Sequence, residues 1–349
     1  MRRVAWGLGS LLAALAVLVL VVLWLTTTAT GFLWLAKQAT PLSDGRLVLE
    51  GVEGHLGASV RIQKLIVKTD TQRITLQRVK LDWQPRSLWH RLIEIDLLAA
   101  QRARVDILKK DPTPPAYPGT LRWLLDIRVA AWDVAQLDVV DKGQTLSFNA
   151  LHGKVEGRGD RFDFIAAAST PWAEVDGQFG IQKDAPFKLQ GQFNAIRNTP
   201  VPVQATLGLT GELAAIDFKL DALAEGMNVM ASGQAAPFAR VRLPRLLVAG
   251  EGIDPSQFAA DAPNADLAFS AIFDGRPGER LLGTFSLFNQ LPGRFDQNRL
   301  PLANLTGAVF GDSTRADVSD LVIDLGAAGQ FTGDGQWRDG RFTVNLESP

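Results

Sequence analysis

The sequence predicts one N-terminal transmembrane helix followed by a long all-β region. Three observations predict it. A charge-free apolar segment opens the chain. Apolar residues then recur with a period of two. Between these alternations lie turn signals and very few helical patterns. The chain has 349 residues, more than one compact β domain ordinarily holds, so two or more domains or one elongated array are expected.

The first element is the apolar segment. No charge occurs from Val4 to Ala36, and Trp6 to Leu25 is 20 residues of Leu, Val, Ala, Trp and Gly with one Ser. A helix of that length spans roughly 30 Å, the thickness of a bilayer's hydrocarbon core. We place a cytoplasmic tail at 1–4 and the anchor at 5–25, with Trp6 and Trp24 at its interfaces and Leu11, Leu15, Leu18 and Val21 between them. Arg2 and Arg3 precede the segment and the next cation is Lys37, so the positive-inside rule puts the N-terminus in the cytoplasm and the bulk outside. A cleaved signal peptide is the competing interpretation. Small residues follow from Thr26 to Gly31, but the apolar core is longer than such peptides carry. Residues 26–42 then read as an interfacial helix or linker.

Beyond Pro41 the period becomes two. Leu47 and Leu49, Val60 and Ile62, Ile74 and Leu76, and Val79, Leu81 and Trp83 alternate with polar residues. So do Leu146 and Phe148, Phe162 and Phe164, Phe187, Leu189 and Phe193, Val241 and Leu243, Leu321 and Ile323, and Phe342, Val344 and Leu346. These are strands with one apolar and one solvated face. Turns are signalled at Ser43-Asp44-Gly45, Asp141-Lys142-Gly143, Arg158-Gly159-Asp160 and Asp339-Gly340. Arg86 to Ile93 follows Pro85 and predicts two helical turns; Leu121 to Leu125 and Ser256 to Ala260 are weaker helical segments. The Pro-rich stretch 109–119 cannot sit inside a central strand and divides a first β unit, 43–108, from a second, 120–349. A one-sided sheet must bury its apolar face. A sandwich, a closed barrel and a curled elongated sheet all satisfy that demand, and periodicity does not choose among them.

No catalytic, metal or cofactor site is predicted. The histidines are His55, His90 and His152, none with a zincin-type partner, and cysteine is absent. Neither a phosphate-binding Gly-rich loop nor a Gly-x-Ser-x-Gly elbow occurs. Carboxylates such as Asp82, Asp96 and Asp138 are scattered as on a solvated strand face. A net charge of −1 argues against nucleic acid as a partner. Trp89 and Trp123, beside the short helical stretches, read as core or lid anchors.

The order of segments between residues 26 and 108 adds a family resemblance. GFLWLAKQA leads to GRLVLEGVEGHLGASVRIQKLIVKT, Arg46 to Thr69. RITLQRVKLDWQPRSLWHRLIEIDLLAAQRARVDI then runs from Arg73 to Ile107. This succession resembles the N-terminal part of the TamB family, the inner-membrane subunit of the translocation and assembly module, and more loosely the AsmA-like superfamily. The chain is shorter than TamB-like proteins, which implies an N-terminal fragment or a truncated member. The resemblance further implies a β-taco: an elongated curled sheet whose apolar groove carries phospholipid between inner and outer membranes in outer-membrane biogenesis. Val60, Ile62, Ile74, Leu76, Val79, Leu81 and Trp83 would line it, with Arg61, Gln63, Lys80 and Asp82 facing water. About 25 strands would fit at roughly 12 residues each. Phospholipid, the membrane and the outer-membrane barrel TamA are the implied partners, TamA through a C-terminal domain of longer relatives. The implied setting is the bacterial inner membrane, single-pass, with the bulk periplasmic. The alternative function is a scaffold that helps insert outer-membrane or autotransporter proteins, and so serves protein secretion, by strand addition.

Overall fold

The computed structural model describes residues 29–57, 59–109, 116–198, 201–239, 241–259, 261–275, 280–312, 315–338 and 340–348. The predicted tail 1–4 and anchor 5–25, with Trp6, Leu11, Leu15, Leu18, Val21 and Trp24, lie outside the described residues. Among the described residues no helix is long and apolar enough to cross a membrane. The first described element is α1, Ala29–Leu42. Pro41 occupies its last turn and the chain reverses through Asp44 and Gly45, whose φ angles are 50° and 72°. The Ser43 hydroxyl accepts from the Leu47 amide at 3.0 Å and so starts the first strand.

Nineteen strands follow among the described residues, and the chain divides into two compact units. Unit 1 comprises residues up to Asp111 together with Arg122–Pro171. It holds β1 (Leu47–Gly54), β2 (Ser59–Lys68), β3 (Gln72–Trp83), β4 (Leu92–Ile107), β5 (Asp126–Asp141), β6 (Gln144–Gly157) and β7 (Arg161–Ser169). Successive strands pair antiparallel, except that β4 and β5 run parallel in register from Leu92↔Asp126 to Ile107↔Asp141. A parallel pair needs a connection long enough to carry the chain back along a whole strand. Residues 108–125 separate the two strands along the chain. Strands on both sides of that stretch thus share one unit, and the division between units falls at Pro171, not at 109–119.

Local expectations changed in several places. Ile93, Ile95, Val105 and Ile107 all belong to one 16-residue strand. The predicted helix at Arg86–Ile93 is a single 3-10 segment, Pro85–His90, closed by Arg91 in the left-handed region at φ 59°. Residues 121–125 are irregular, with a bend at Leu124-Leu125, and only Pro255–Gln257 is helical near Ser256. Val241 and Leu243 precede the strand that starts at Arg245, and Phe187 precedes the one that starts at Lys188. The described strands number nineteen, fewer than about 25, because long connections such as 108–125, 254–266 and 290–303 take up residues that the estimate gave to strands.

Unit 2 comprises Pro112–Leu121 and Trp172–Pro349. Its strands are β8 (Glu174–Gln182), β9 (Lys188–Arg197), β10 (Val203–Glu212), β11 (Ala215–Ala224), β12 (Met227–Ala235) and β13 (Arg245–Ile253). After them come β14 (Leu267–Asp274), β15 (Leu281–Asn289), β16 (Asn304–Gly311), β17 (Arg315–Asp324), β18 (Gln330–Arg338) and β19 (Arg341–Glu347). Each pairs antiparallel with the next, as short turns permit. The segment before Leu121 packs here. The Tyr117 ring stands edge-on to Phe187 and Phe238 at 5.4 and 5.2 Å, and its hydroxyl donates to the Pro186 carbonyl.

Candidate functional site

Registers turn the scattered alternations of unit 1 into transverse rows. One row reads Leu47–Val67–Ile74–Val105–Val139–Leu146 and the next Leu49–Leu65–Leu76–Ala103–Leu137–Phe148, each residue directly opposite its neighbour across β1 to β6. Towards the other end of the strands, Gly54–Val60–Leu81–Leu98–Trp132–Gly153 forms a third. A fourth holds Val52, Ile62, Val79, Ala100, Val134 and Leu151.

The first two rows and the last two have opposite parity along every strand. In a regular pleat they would therefore face opposite sides. A two-residue interruption separates them in each of the six strands. These are Glu50-Gly51, Gln63-Lys64, Gln77-Arg78, Gln101-Arg102, Ala135-Gln136 and Asn149-Ala150. The interruptions align: Glu50, Lys64, Gln77, Arg102, Gln136 and Asn149 are successive partners. Beside them Gly51, Arg78 and Ala150 take left-handed φ angles of 62°, 51° and 50°. A left-handed residue inside a strand turns the following pleat over and adds a local bend, as bulges do. The result is an aligned crease across β1–β6, marked by left-handed residues in β1, β3 and β6, at the level where the parity of the apolar residues changes. Gly51 is needed there because a Cβ would meet the Gln63 side chain at 2.5 Å.

The face is half-buried. Val60, Val79, Ala100, Ala103 and Val129 are buried, whereas Leu65, Ile74, Leu76, Leu81, Leu137 and Phe148 are each only partly covered and Leu98 is 39% exposed. A sandwich core would seal such residues under a second layer. Six of the seven residues expected to line a groove fall into these rows on β2 and β3. Trp83 lies beyond a bulge opposite Ile95, with its indole nitrogen buried and without a hydrogen-bond partner. The rows also take in Ala100, Ala103, Trp132, Val134, Leu137 and Val139, which the sequence had not singled out; their signal was the same broken alternation in β4 and β5.

On the opposite face Arg61 and Lys80 are partners, and Lys80 bonds Asp82 at 2.6 Å. Asp138 is buried on this side of β5 and accepts from Arg102 Nε at 3.0 Å, Gln136 Nε2 at 2.8 Å and Ser147 Oγ at 2.7 Å. Burial pushes its carboxyl up, but the hydrogen bonds from Ser147, Gln136 and Arg102, with the Arg102 charge, outweigh burial and hold it below its ordinary value. It clamps the parallel pair from behind. The histidines stand apart: the His55 ring accepts from the Gly57 amide, His90 is exposed, and His152 bonds the Ala150 carbonyl. Among the described residues no cluster of three His, Asp or Glu could hold a metal ion.

Residues 18–164 match the family described as TamB, N-terminal domain. Residues 18–164 are TamB-like. The match takes in α1 and the whole creased sheet, and stops within β7. No curated protein and no solved structure matches the chain.

The chain carries a further apolar row beyond the matched region. In unit 2, Val175–Ala195–Ala205–Ala222–Val229–Gly250–Phe269–Leu287–Leu305–Ile323–Phe331 is a row of direct partners across eleven strands, β8 to β18. At the usual strand spacing it is about 48 Å long. Glycines recur opposite phenylalanines in the same strands, of which only Phe269 lies in the row itself: Gly177↔Phe193, Gly191↔Phe179, Gly233↔Phe218, Gly250↔Phe269, Gly283↔Phe273 and Gly307↔Phe285. Each ring leans over the facing glycine, so that a Cβ there would collide with it or crowd it. Rings laid flat on glycines make a smooth apolar floor.

Proposed function

We propose that this chain is an inner-membrane-anchored periplasmic protein whose apolar sheet faces curl into a groove that carries phospholipid acyl chains between the inner and outer membranes, in support of outer-membrane assembly. One observation carries the proposal: apolar rows run unbroken across β1–β6 and across β8–β18, yet most of their side chains stay half-exposed. An uncovered face of that size is costly in water. Acyl chains would cover it with a gain of about 0.8 kcal/mol per buried CH₂. The crease supports the same reading, since left-handed residues in β1, β3 and β6 sit where the apolar parity changes and would bring the rows towards one side. The charge-free segment from Val4 to Ala36 supports a tether in the inner membrane with the sheets outside the cytoplasm. TamA partnership is proposed with it, and co-purification with TamA tests that part.

The reaction class is transport without covalent chemistry. Photo-crosslinking side chains at Ile62, Leu76 and Leu81 should yield phospholipid adducts, and one at Arg61 on the opposite face should not. Adducts only with nascent outer-membrane strands would instead support a strand-adding scaffold. Absence of lipid adducts at all three positions would sink the lipid reading.

A further inference from the structure

Trp89 and Trp123 are not core anchors: they are 89% and 62% exposed, and Leu124 beside Trp123 is 89% exposed. The two tryptophans come from separate segments of the chain, yet the parallel pairing of β4 and β5 starts both strands at the same end, so their leading loops lie side by side. Arg91 joins the loops. Its amide donates to the Leu88 carbonyl at 2.9 Å, its carbonyl accepts from the Asp126 amide at 2.9 Å, and its guanidinium reaches the Leu124 carbonyl. Trp123 rests edge-on against Phe162, 6.1 Å between ring centroids. The patch is therefore held in shape and is not a loose pair of loops.

We propose that Leu88, Trp89, Trp123 and Leu124 form a second membrane contact of unit 1, seated in the interface of an anionic bilayer. Indole rings favour that interface, where their apolar body and N–H group are both satisfied. The charge fits: Arg86, Arg91 and Arg122 are exposed around the patch, and neither 84–91 nor 122–125 contains a carboxylate. The closest acidic side chain along β4, Glu94, already accepts from Ser87 at 2.7 Å and from Arg128 at 3.0 Å. The occupant is a lipid surface because the charge-free segment 4–36 of the same chain already marks a bilayer as its neighbour. The inference shares that tether with the proposed function but does not depend on the groove.

The position in the fold adds an orientation. α1 enters β1 at Leu47, level with Val105 of β4, whereas the patch lies before Leu92. Thirteen residues of strand separate the two levels, roughly 40 Å. Contacts at both ends of the strands lay the strands of unit 1 along the membrane plane and point the direction of strand stacking along its normal.

The chain contains no cysteine, so one introduced at Leu124→Cys or Trp89→Cys can carry an environment-sensitive fluorophore alone. The full chain is reconstituted through its N-terminal segment into nanodiscs with and without phosphatidylglycerol. Both labels should shift to the blue and resist an aqueous quencher when phosphatidylglycerol is present. The shift should be lost in phosphatidylcholine alone or at high salt. Arg86→Glu with Arg122→Glu should lower the protected-to-exposed ratio roughly tenfold or more. Equal quenching with and without phosphatidylglycerol overturns the proposal. So does protection that is equal in phosphatidylcholine alone and at high salt, which would mean that protein covers the patch. Because the readout is contact and not passage, a chain that moves no lipid can still pass this test.

Discussion

Replacing Leu81 by aspartate is the sharpest test of a lipid-bearing face. Leu81 sits mid-row between Val60 and Leu98 and is largely covered, so its loss removes most of a leucine's burial, about 2 kcal/mol of stability. The folded state should survive that. An acyl chain sliding along the row would meet a charge where it meets methyl groups now. A carboxylate in a hydrocarbon path costs about 3 kcal/mol, which slows passage on the order of 100-fold. The assay is transfer of fluorescent phospholipid from donor to acceptor vesicles by the full chain. Thermal unfolding of each variant confirms the fold. Leu81→Met should transfer at the parent rate, and Arg61→Asp, on the other face, should change little. A folded Leu81→Asp chain that transfers lipid as fast as the parent would refute the reasoning.

Three further outcomes follow from the packing. Asp138→Ala should lower stability by about 2–3 kcal/mol in urea unfolding, because three hydrogen bonds are lost and the donors stay behind. Since that carboxyl is held below its ordinary value, its contribution is complete above the normal carboxylate range and fades as pH falls through the lowered value. The two chains' urea midpoints should therefore converge on acidification below about pH 4, and a constant gap would contradict the assignment. Arg78→Val should cost about 1–2 kcal/mol, since a β-branched residue tolerates φ 51° poorly, while Arg78→Gly should be neutral or stabilising; equal melting temperatures for the two would remove the crease's conformational requirement. Gly307→Ala would place a Cβ 2.7 Å from the Phe285 ring and should cost about 1–3 kcal/mol, whereas Gly208→Ala, with only a carbonyl oxygen at 3.9 Å, should cost nothing by crowding.

Strand existence and the apolar half of each strand were legible from the sequence because both are local. Ile74 and Leu76 stand two apart, as do Val79 and Leu81, and Gln77-Arg78 breaks the run between them. The same break is visible at Gln101-Arg102. The Pro-rich stretch was legible as a loop because proline cannot donate to a ladder. The apolar, charge-free opening segment was legible from composition alone. These features depend on a residue and its near neighbours in the chain.

Only the tertiary structure decided what those pieces face. Whether Gln77-Arg78 and Gln101-Arg102 are unrelated irregularities or one crease depends on register, which couples Gln77 to Arg102 on the next strand through the backbone ladder. The parallel pairing of β4 with β5 was equally hidden, since alternation is the same in either direction; it alone brings Trp89 beside Trp123 and turns two ordinary loops into one patch. Period two says that a strand has an apolar side. Which sides meet to make a continuous face is set by pairing across the sheet, a non-local choice that no single strand encodes.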